Sequence, residues 1–264
     1  MKNPKISIIT ISFNSEKYIE ETIKSVISQN YDNLEYIIID GGSTDSTLSI
    51  VEKYKEFISK VISEPDRGIS DAFNKGILNA TGNVIGIINS DDIMLPGTLN
   101  ALASAYEEDV DIYRMNIQIW MSETDEKFHE RPSMSFPLID FSVHVAHQGT
   151  FVRSEAYRMY GMFDVGFRYC MDYDFLMRCY RRGAKMKYID HDSALFRIGG
   201  ATSTPFSKKR QEYMRLITKN GGSRLMSYVY VIGMSLREVA KSFLDLVGEG
   251  LKRKLRYGSR RQSS

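Results

Sequence analysis

Four short apolar runs open this chain, and each stops at a polar residue before a stretch with helical spacing begins. Residues 6–13, 34–40, 61–63 and 84–89 are dominated by Ile and Val and are too short for buried helices. Apolar runs of that length are strands covered on both faces. Between them Ile19, Ile23, Val26 and Ile27 share one helical face, as do Leu48, Val51 and Tyr54, and residues 69–80 form a third helix that Gly82 stops. Asn14 and Ser15 are placed to cap the first of these helices. The resulting β-α-β-α-β-α-β order restricts the chain to an α/β fold with a Rossmann-like, mostly parallel sheet flanked by helices. Such sheets bind ligands beyond the carboxyl ends of their strands. Asn14, Asp40, Asp66 and Asp91 all fall at those ends, so one shared site is expected.

After Pro96 the pattern loosens. A helix is expected to about residue 107 and a strand over Ile112–Met121, followed by a polar stretch to Pro137 with no assignable period. A strand at Thr150–Arg153, a helix from Ser154 and another from 172 to 182 come next. The segment around 202–209 is the expected boundary between a catalytic domain, 1–206, and a helical extension, 207–264. In that extension Leu225, Val229, Ile232, Leu236, Val239, Phe243, Val247 and Leu251 recur at steps of three or four, which is an amphipathic helix. It leads to Lys252-Arg253-Lys254-Leu255-Arg256 and a polar tail. Charge divides the same way: residues 1–206 carry 21 basic and 29 acidic groups, whereas 207–264 carry 14 and 4. The extension therefore has an electrostatic role that the rest lacks: a peripheral membrane contact or a homodimer through its helix.

Other classes are excluded by what is missing. A dinucleotide-dependent oxidoreductase needs Gly-x-Gly-x-x-Gly after the first strand, where this chain has Ser12-Phe13-Asn14-Ser15. The Gly-rich basic loop of a sugar nucleotidyltransferase is equally absent. The two cysteines, Cys170 and Cys179, have no zinc spacing, and a reducing, cytoplasmic setting is expected. No uncharged run reaches the length of a membrane span, no signal peptide precedes the first strand, and no nucleic-acid partner is indicated.

The chemistry-bearing residues lie in order: Thr10-Ile11-Ser12-Phe13-Asn14, then Ile39-Asp40-Gly41-Gly42-Ser43-Thr44-Asp45, Asp66-Arg67-Gly68, Asn89-Ser90-Asp91-Asp92 and Met171-Asp172-Tyr173-Asp174. Adjacent carboxylates such as Asp91 and Asp92 repel, and staying ionised together calls for a cation or water in front of them. Mg²⁺ and Mn²⁺ take oxygen ligands of this kind and share their shell with diphosphate oxygens. A guanidinium such as Arg67 pairs well with phosphate, and Gly68 lets the backbone approach.

Together these motifs resemble family 2 of the inverting glycosyltransferases, which have the GT-A fold, from about residue 6 to about 203. The resemblance implies a metal-dependent transfer of one sugar from a nucleotide diphosphate, most simply UDP, to an acceptor hydroxyl on a glycan or lipid-linked glycan in surface polysaccharide or lipopolysaccharide assembly. It puts the metal, Mn²⁺ or Mg²⁺, on Asp92, with Asp91 beside the ribose or the metal. Asn89 stands where relatives often have Asp. Nucleotide contacts are implied for Thr10, Ser12, Asn14, Asp66, Arg67 and Asp71, and Asp40 is assigned to the base, with a cap on the turn at 43–47 as its alternative. Inversion needs a general base at the acceptor, implied to be Asp172; Met171 replaces the Glu that many relatives carry before it. His147 and Gln148, just before a Phe-Val-Arg strand, are implied to face the acceptor, and residues 199–203 to close over the site. Asp174 and Arg178 read as a structural ion pair. His144 with His147, and Asp190-His191-Asp192, are weak metal patterns that suit loop or core residues as well. Processive members of the family carry Gln-x-x-Arg-Trp; the lone Trp120 lacks that context, so single transfer is expected. The alternative is a non-catalytic sugar-nucleotide-binding or scaffold protein, favoured only by Asn89 and Met171.

Overall fold

The structure is a computed structural model, and it describes residues 3–121, 124–139, 145–197 and 206–247. β1 (Ile6–Ser12) lies between β2 (Leu34–Asp40) and β4 (Val84–Asn89), parallel to both, and β3 (Lys60–Ser63) extends the sheet beside β2. Their registers place Ser12 opposite Asp40, Asp40 opposite Ser63 and Ile11 opposite Asn89. Four strands therefore end side by side, and their exits form a single crest.

Alternation along these strands splits the core into two layers. Ile9, Ile37, Ile39, Ile85 and Ile87 face α3 (Ile69–Asn79) through Ala72, Phe73 and Ile77. Ile6, Ile8, Ile38, Val84 and Ile88 face α1 (Ile19–Ile27), α2 (Thr47–Glu52) and α4 (Thr98–Ala105). Asn14 and Ser15 do not cap α1 with their side chains; its N-cap is Tyr18, whose N–H the Ser15 carbonyl accepts. The chain moves on through loop residues before helical dihedrals begin, which frees both side chains for other bonds.

Beyond β4 the sheet becomes mixed, with β8 antiparallel to β4 and to β6. Its order is β3-β2-β1-β4-β8-β6-β9-β5, with β5 (Ile93–Met94), β6 (Ile112–Met121), β8 (Thr150–Arg153) and β9 (Met186–Arg197), and with β7 (Glu126–Glu130) paired to β6. The stretch without a readable period thus contains β7. β9, unforeseen in the sequence, runs parallel to β6 with a register shift that leaves Asp190 and His191 as extra residues between Ile189 and Asp192. α5 (Ser154–Tyr160) and α6 (Met171–Arg181) pack on the layer of α3, where Phe175, Leu176 and Cys179 are buried. Cys170 and Cys179 are both buried and unbridged.

α7 (Phe206–Lys219) packs back onto the preceding elements. Leu216 joins the principal core, and Glu212 accepts the N–H groups of Arg168, Tyr169 and Cys170 at 2.8, 2.8 and 3.0 Å. Asp174, fully buried, takes Lys219 Nζ at 2.9 Å, whereas Arg178 stands at 3.9 Å and donates instead to the Met162 carbonyl. The ion pair expected within α6 is therefore mainly a tie from α6 to α7. α8 (Arg224–Val247) follows, and among the described residues no helix is long and apolar enough to cross a membrane.

Candidate functional site at the strand exits

The crest is built first by hydrogen bonds among short polar side chains. Asp40 is fully buried and accepts from Ser12 Oγ at 3.1 Å, Gly42 N–H at 3.1 Å, Ser43 N–H at 2.9 Å, Ser63 Oγ at 2.8 Å and the Ser43 hydroxyl. Burial would raise its carboxyl, but the bonds from Ser43, Ser63 and Ser12 outweigh it and hold Asp40 below its ordinary value. With five donors on two oxygens and no exposed surface, Asp40 ties β1, β2 and β3 together, which is the turn-capping role rather than an open acceptor. Thr10 is likewise internal, bonded to the Tyr36 hydroxyl at 2.9 Å, and Ser12 spends its hydroxyl on Asp40. Of the three β1 candidates only Asn14 reaches the surface. It sits in the left-handed region at φ 48°, donates its N–H to Ser43 Oγ and accepts from Thr44 N–H.

Two neighbours complete the outer edge. Phe13 is 62% exposed. Gly41 lies between its ring and Asp66: a Cβ there would meet Asp66 Oδ2 at 2.6 Å and the Phe13 ring at 3.4 Å. An exposed aromatic face, a glycine gap and a half-buried carboxylate are thus in one place. The sequence reading passed over Phe13, although an aromatic between Ser12 and Asn14 at a strand exit was the available signal. Next to it Arg67 is exposed and paired with Asp71 at 3.0 Å, and Asp71 also accepts the Arg67 N–H, which draws the Asp71 carboxyl down.

The exit of β4 carries the acidic pair. Asp92 is fully buried, with Oδ2 accepting from Gln148 Nε2 at 2.8 Å and Oδ1 from the Arg197 N–H at 3.2 Å. Burial first and the charge of Asp91 second push its carboxyl up to about 8, against those two bonds. Asp91 is half-buried and also raised, by burial, with Arg197 opposing. Arg197 itself is held between two rings, 4.3 Å from the centre of Tyr18 and 4.2 Å from that of Trp120, and donates to the Asp91 carbonyl and to Glu21. No sequence motif pointed to Arg197, since its role comes from β9, an element the pattern did not disclose.

Among the described residues no group of three or more His, Cys, Asp or Glu is gathered as a metal cage. The pair nevertheless fits a divalent cation that fills most of its shell with diphosphate and water: two hard oxygen donors stand together, and both are costly to ionise without a positive charge nearby. Asp91 has the accessible carboxylate, whereas Asp92 is turned inward as the clamp between β9 and Gln148. Gln148 is buried and gives its side-chain amide to Asp92.

The third part is a pocket under the crest. His147, in a single 3₁₀ turn before β8, donates its Nε2–H to Asn89 Oδ1 at 3.2 Å and lies against Phe73 at 5.1 Å. Gly149 makes this turn possible, because a Cβ there would come within 2.5 Å of the Met115 carbonyl. His147 shares the pocket with Asp172, Ile87, Tyr157, Phe163 and Phe175. Burial pushes the His147 imidazole down to about 4, so it is neutral at pH 7. The same apolar walls push Asp172 up to about 6, opposed by the Tyr173 N–H at 2.8 Å and the charge of the buried Arg114. A carboxylate with that value is ionised at neutral pH yet basic enough to take a proton. His144 and residues 199–203 lie outside the described residues.

Against known proteins, the family model described as glycosyl transferase family 2 matches residues 7–182. A glycosyltransferase of Haemophilus influenzae is 25% identical over 259 residues, covering 89% of this chain and 78% of that protein. The structure of S. aureus TarS in complex with UDP-GlcNAc matches with a TM-score of 0.67 at 21% identity, over 84% of this chain and 69% of that one. The mannosyltransferase PcManGT of Pyrobaculum calidifontis, in complex with GDP-Man and Mn²⁺, matches with a TM-score of 0.63 at 16% identity, over 97% and 80%. At these identities the structural likeness establishes the GT-A fold.

Proposed function

Because this chain belongs to glycosyl transferase family 2 and is a glycosyltransferase, we propose that its crest and pocket move one sugar, with inversion, from a nucleotide diphosphate to an acceptor hydroxyl. The observation that supports this most directly is the bond from His147 to Asn89, which joins the pocket of Asp172 to the strand end that carries Asp91. A base and a diphosphate-facing carboxylate are then parts of one site. Residues 1–206 form the catalytic unit in this reading, with 207–264 as its helical extension.

Phe13, Gly41 and Asp66 receive the base. The ring of Phe13 stacks on it and the Asp66 carboxylate accepts an imide N–H, which favours uracil over cytosine or a purine lacking that donor. Arg67 can leave Asp71 for the phosphates, since it is exposed and the pair it would give up is a surface ion pair worth little. Asp91, with Asp92 behind it, would hold Mn²⁺ or Mg²⁺, which when bound would supply positive charge to offset the negative charge developing on the departing diphosphate. Asp172 accepts the proton of the acceptor hydroxyl as that oxygen bonds to the anomeric carbon, opposite the breaking bond to phosphate. Neutral His147 orients Asn89 and walls the pocket without competing for the proton. The proposed acceptor is a glycan or lipid-linked glycan of cell-surface polysaccharide or lipopolysaccharide assembly, met at the inner face of the plasma membrane.

The test is a panel of nucleotide sugars incubated with the enzyme and Mn²⁺, with release of the nucleotide diphosphate measured with and without EDTA. A UDP-sugar is expected to be hydrolysed only with metal. Undiminished hydrolysis in excess EDTA removes the metal from this reading, and a cytidine or adenosine donor outrunning every uridine donor removes the assignment of Asp66.

A further inference from the structure

We propose that the outer face of α8 is a seat for an anionic lipid surface, on which the helix lies flat. Among the described residues thirteen large hydrophobics are exposed, and six of them stand on this one helix: Leu225, Tyr228, Val229, Ile232, Leu236 and Val239, between 51% and 72% exposed. At 100° per residue they fall within an arc of about 100°, a continuous apolar stripe. The opposite face is already used. Ser227 and Tyr230 are buried, Met226, Val231 and Met234 pack with Phe206, Tyr213 and Ile217, and Glu238 accepts the Phe206 N–H at 3.0 Å. The fold therefore needs only the inner face, and the stripe is surplus to it.

Charge selects the occupant. Residues 207–264 have 14 basic against 4 acidic groups, and after Glu249 six basic residues follow without an acidic one: Lys252, Arg253, Lys254, Arg256, Arg260 and Arg261. Two copies meeting through this face would bring like charge to like. An anionic bilayer offers acyl chains to the stripe and negative headgroups to the basic run. The sequence extends the stripe at the same spacing with Phe243, Leu246 and Val247. Since no described helix suits a membrane span, the contact is one of lying on the surface. This takes up the membrane setting proposed above and names the surface that meets it, but it does not depend on catalysis.

The experiment is flotation of the full chain with vesicles of phosphatidylcholine alone or with 30 mol% phosphatidylglycerol, at about 0.1 M and 0.5 M NaCl, beside sedimentation velocity without lipid. Flotation is expected only with the anionic vesicles and is expected to weaken at high salt. The double variant Ile232→Glu, Leu236→Glu changes exposed side chains only, so its circular dichroism and donor hydrolysis should match the parent while vesicle partitioning falls at least tenfold. Lys252→Glu, Arg253→Glu, Lys254→Glu should lose the salt-sensitive part of binding. No flotation of the parent overturns the proposal, as does equal binding of the double variant. A lipid-free dimer that the double variant dissociates, without flotation, assigns the face to a second copy. Donor hydrolysis persisting through any of these outcomes leaves the catalytic reading intact.

Discussion

Asp172 carries the most direct test at the scale of single residues. Its carboxyl is raised to about 6 by apolar walls, so the ionised form that accepts a proton is depleted below that pH. With saturating donor and metal, kcat/KM should climb tenfold per pH unit below about 6 and flatten above it. Asp172→Asn keeps the shape and removes the acceptor; kcat should fall by about 10²- to 10⁴-fold while the donor dissociation constant, measured by calorimetry, stays within about twofold. Loss of donor binding in that variant would move the residue from catalysis to nucleotide recognition. Asp92 makes a different prediction. A carboxyl whose folded value lies above its unfolded one stabilises the fold fully at low pH and loses that contribution as pH rises from about 4 through about 8. Metal-free protein should accordingly melt at lower temperature at pH 8 than at pH 6, and added Mn²⁺ should reduce the difference, because a cation beside Asp91 and Asp92 lowers both carboxyls. Equal melting temperatures at the two pH values without metal would mean that Asp92 is ionised in the fold throughout.

At the scale of elements, α6 depends on α7 for its start. Glu212 accepts three successive N–H groups just before Asp172, those of Arg168, Tyr169 and the N-cap residue Cys170, and so holds the loop that leads into the helix. Glu212→Ala should cost about 1–3 kcal/mol in denaturant unfolding and lower kcat more than it raises the donor KM, since the base is displaced and the nucleotide edge is not. A change in donor KM alone would contradict that. Gly149→Ala would drive a methyl into the Met115 carbonyl and should cost about 1–3 kcal/mol. These two dependencies mark where the sequence was opaque. β1 to β4 and α1 to α3 were legible because each is a single apolar period bounded by Gly, Asn or Asp. β9 was not: the bulge at Asp190 and His191 breaks its alternation, and half its residues are polar. α7 hid behind six charged residues, its inward positions Phe206, Tyr213, Leu216 and Ile217 being too few to dominate a window. In the site, residue types were legible and directions were not. Ser12 and Asp40 stand at the strand exit yet turn to each other, Thr10 turns in to Tyr36, and Phe13, just past the end of β1, is the neighbour that faces outward.

At the scale of the whole molecule, the site is assembled from distant parts of the chain: Phe13 from β1, Asp66 from the β3 exit, Asp91 from β4 and Asp172 from α6 about eighty residues later. A ligand that bridges the crest binds the folded chain alone, so its binding energy appears as stability. At roughly 100 times its dissociation constant, UDP with Mn²⁺ should add about 2.7 kcal/mol. For a chain of this size that corresponds to roughly 5–11 °C in the melting midpoint. Asp91→Asn should lose most of the rise that Mn²⁺ adds to UDP, because it removes the accessible oxygen donor, while Phe13→Ala should weaken the response to UDP with or without metal, because the stacking face is gone. Asp172→Asn should keep the full rise: it stands on the acceptor side. The pattern across the three variants separates the roles by a measurement that needs no turnover. If Asp92→Asn abolished the Mn²⁺ response and Asp91→Asn left it unchanged, the inward carboxylate would be the metal ligand, and Gln148 would have to release it when the donor binds.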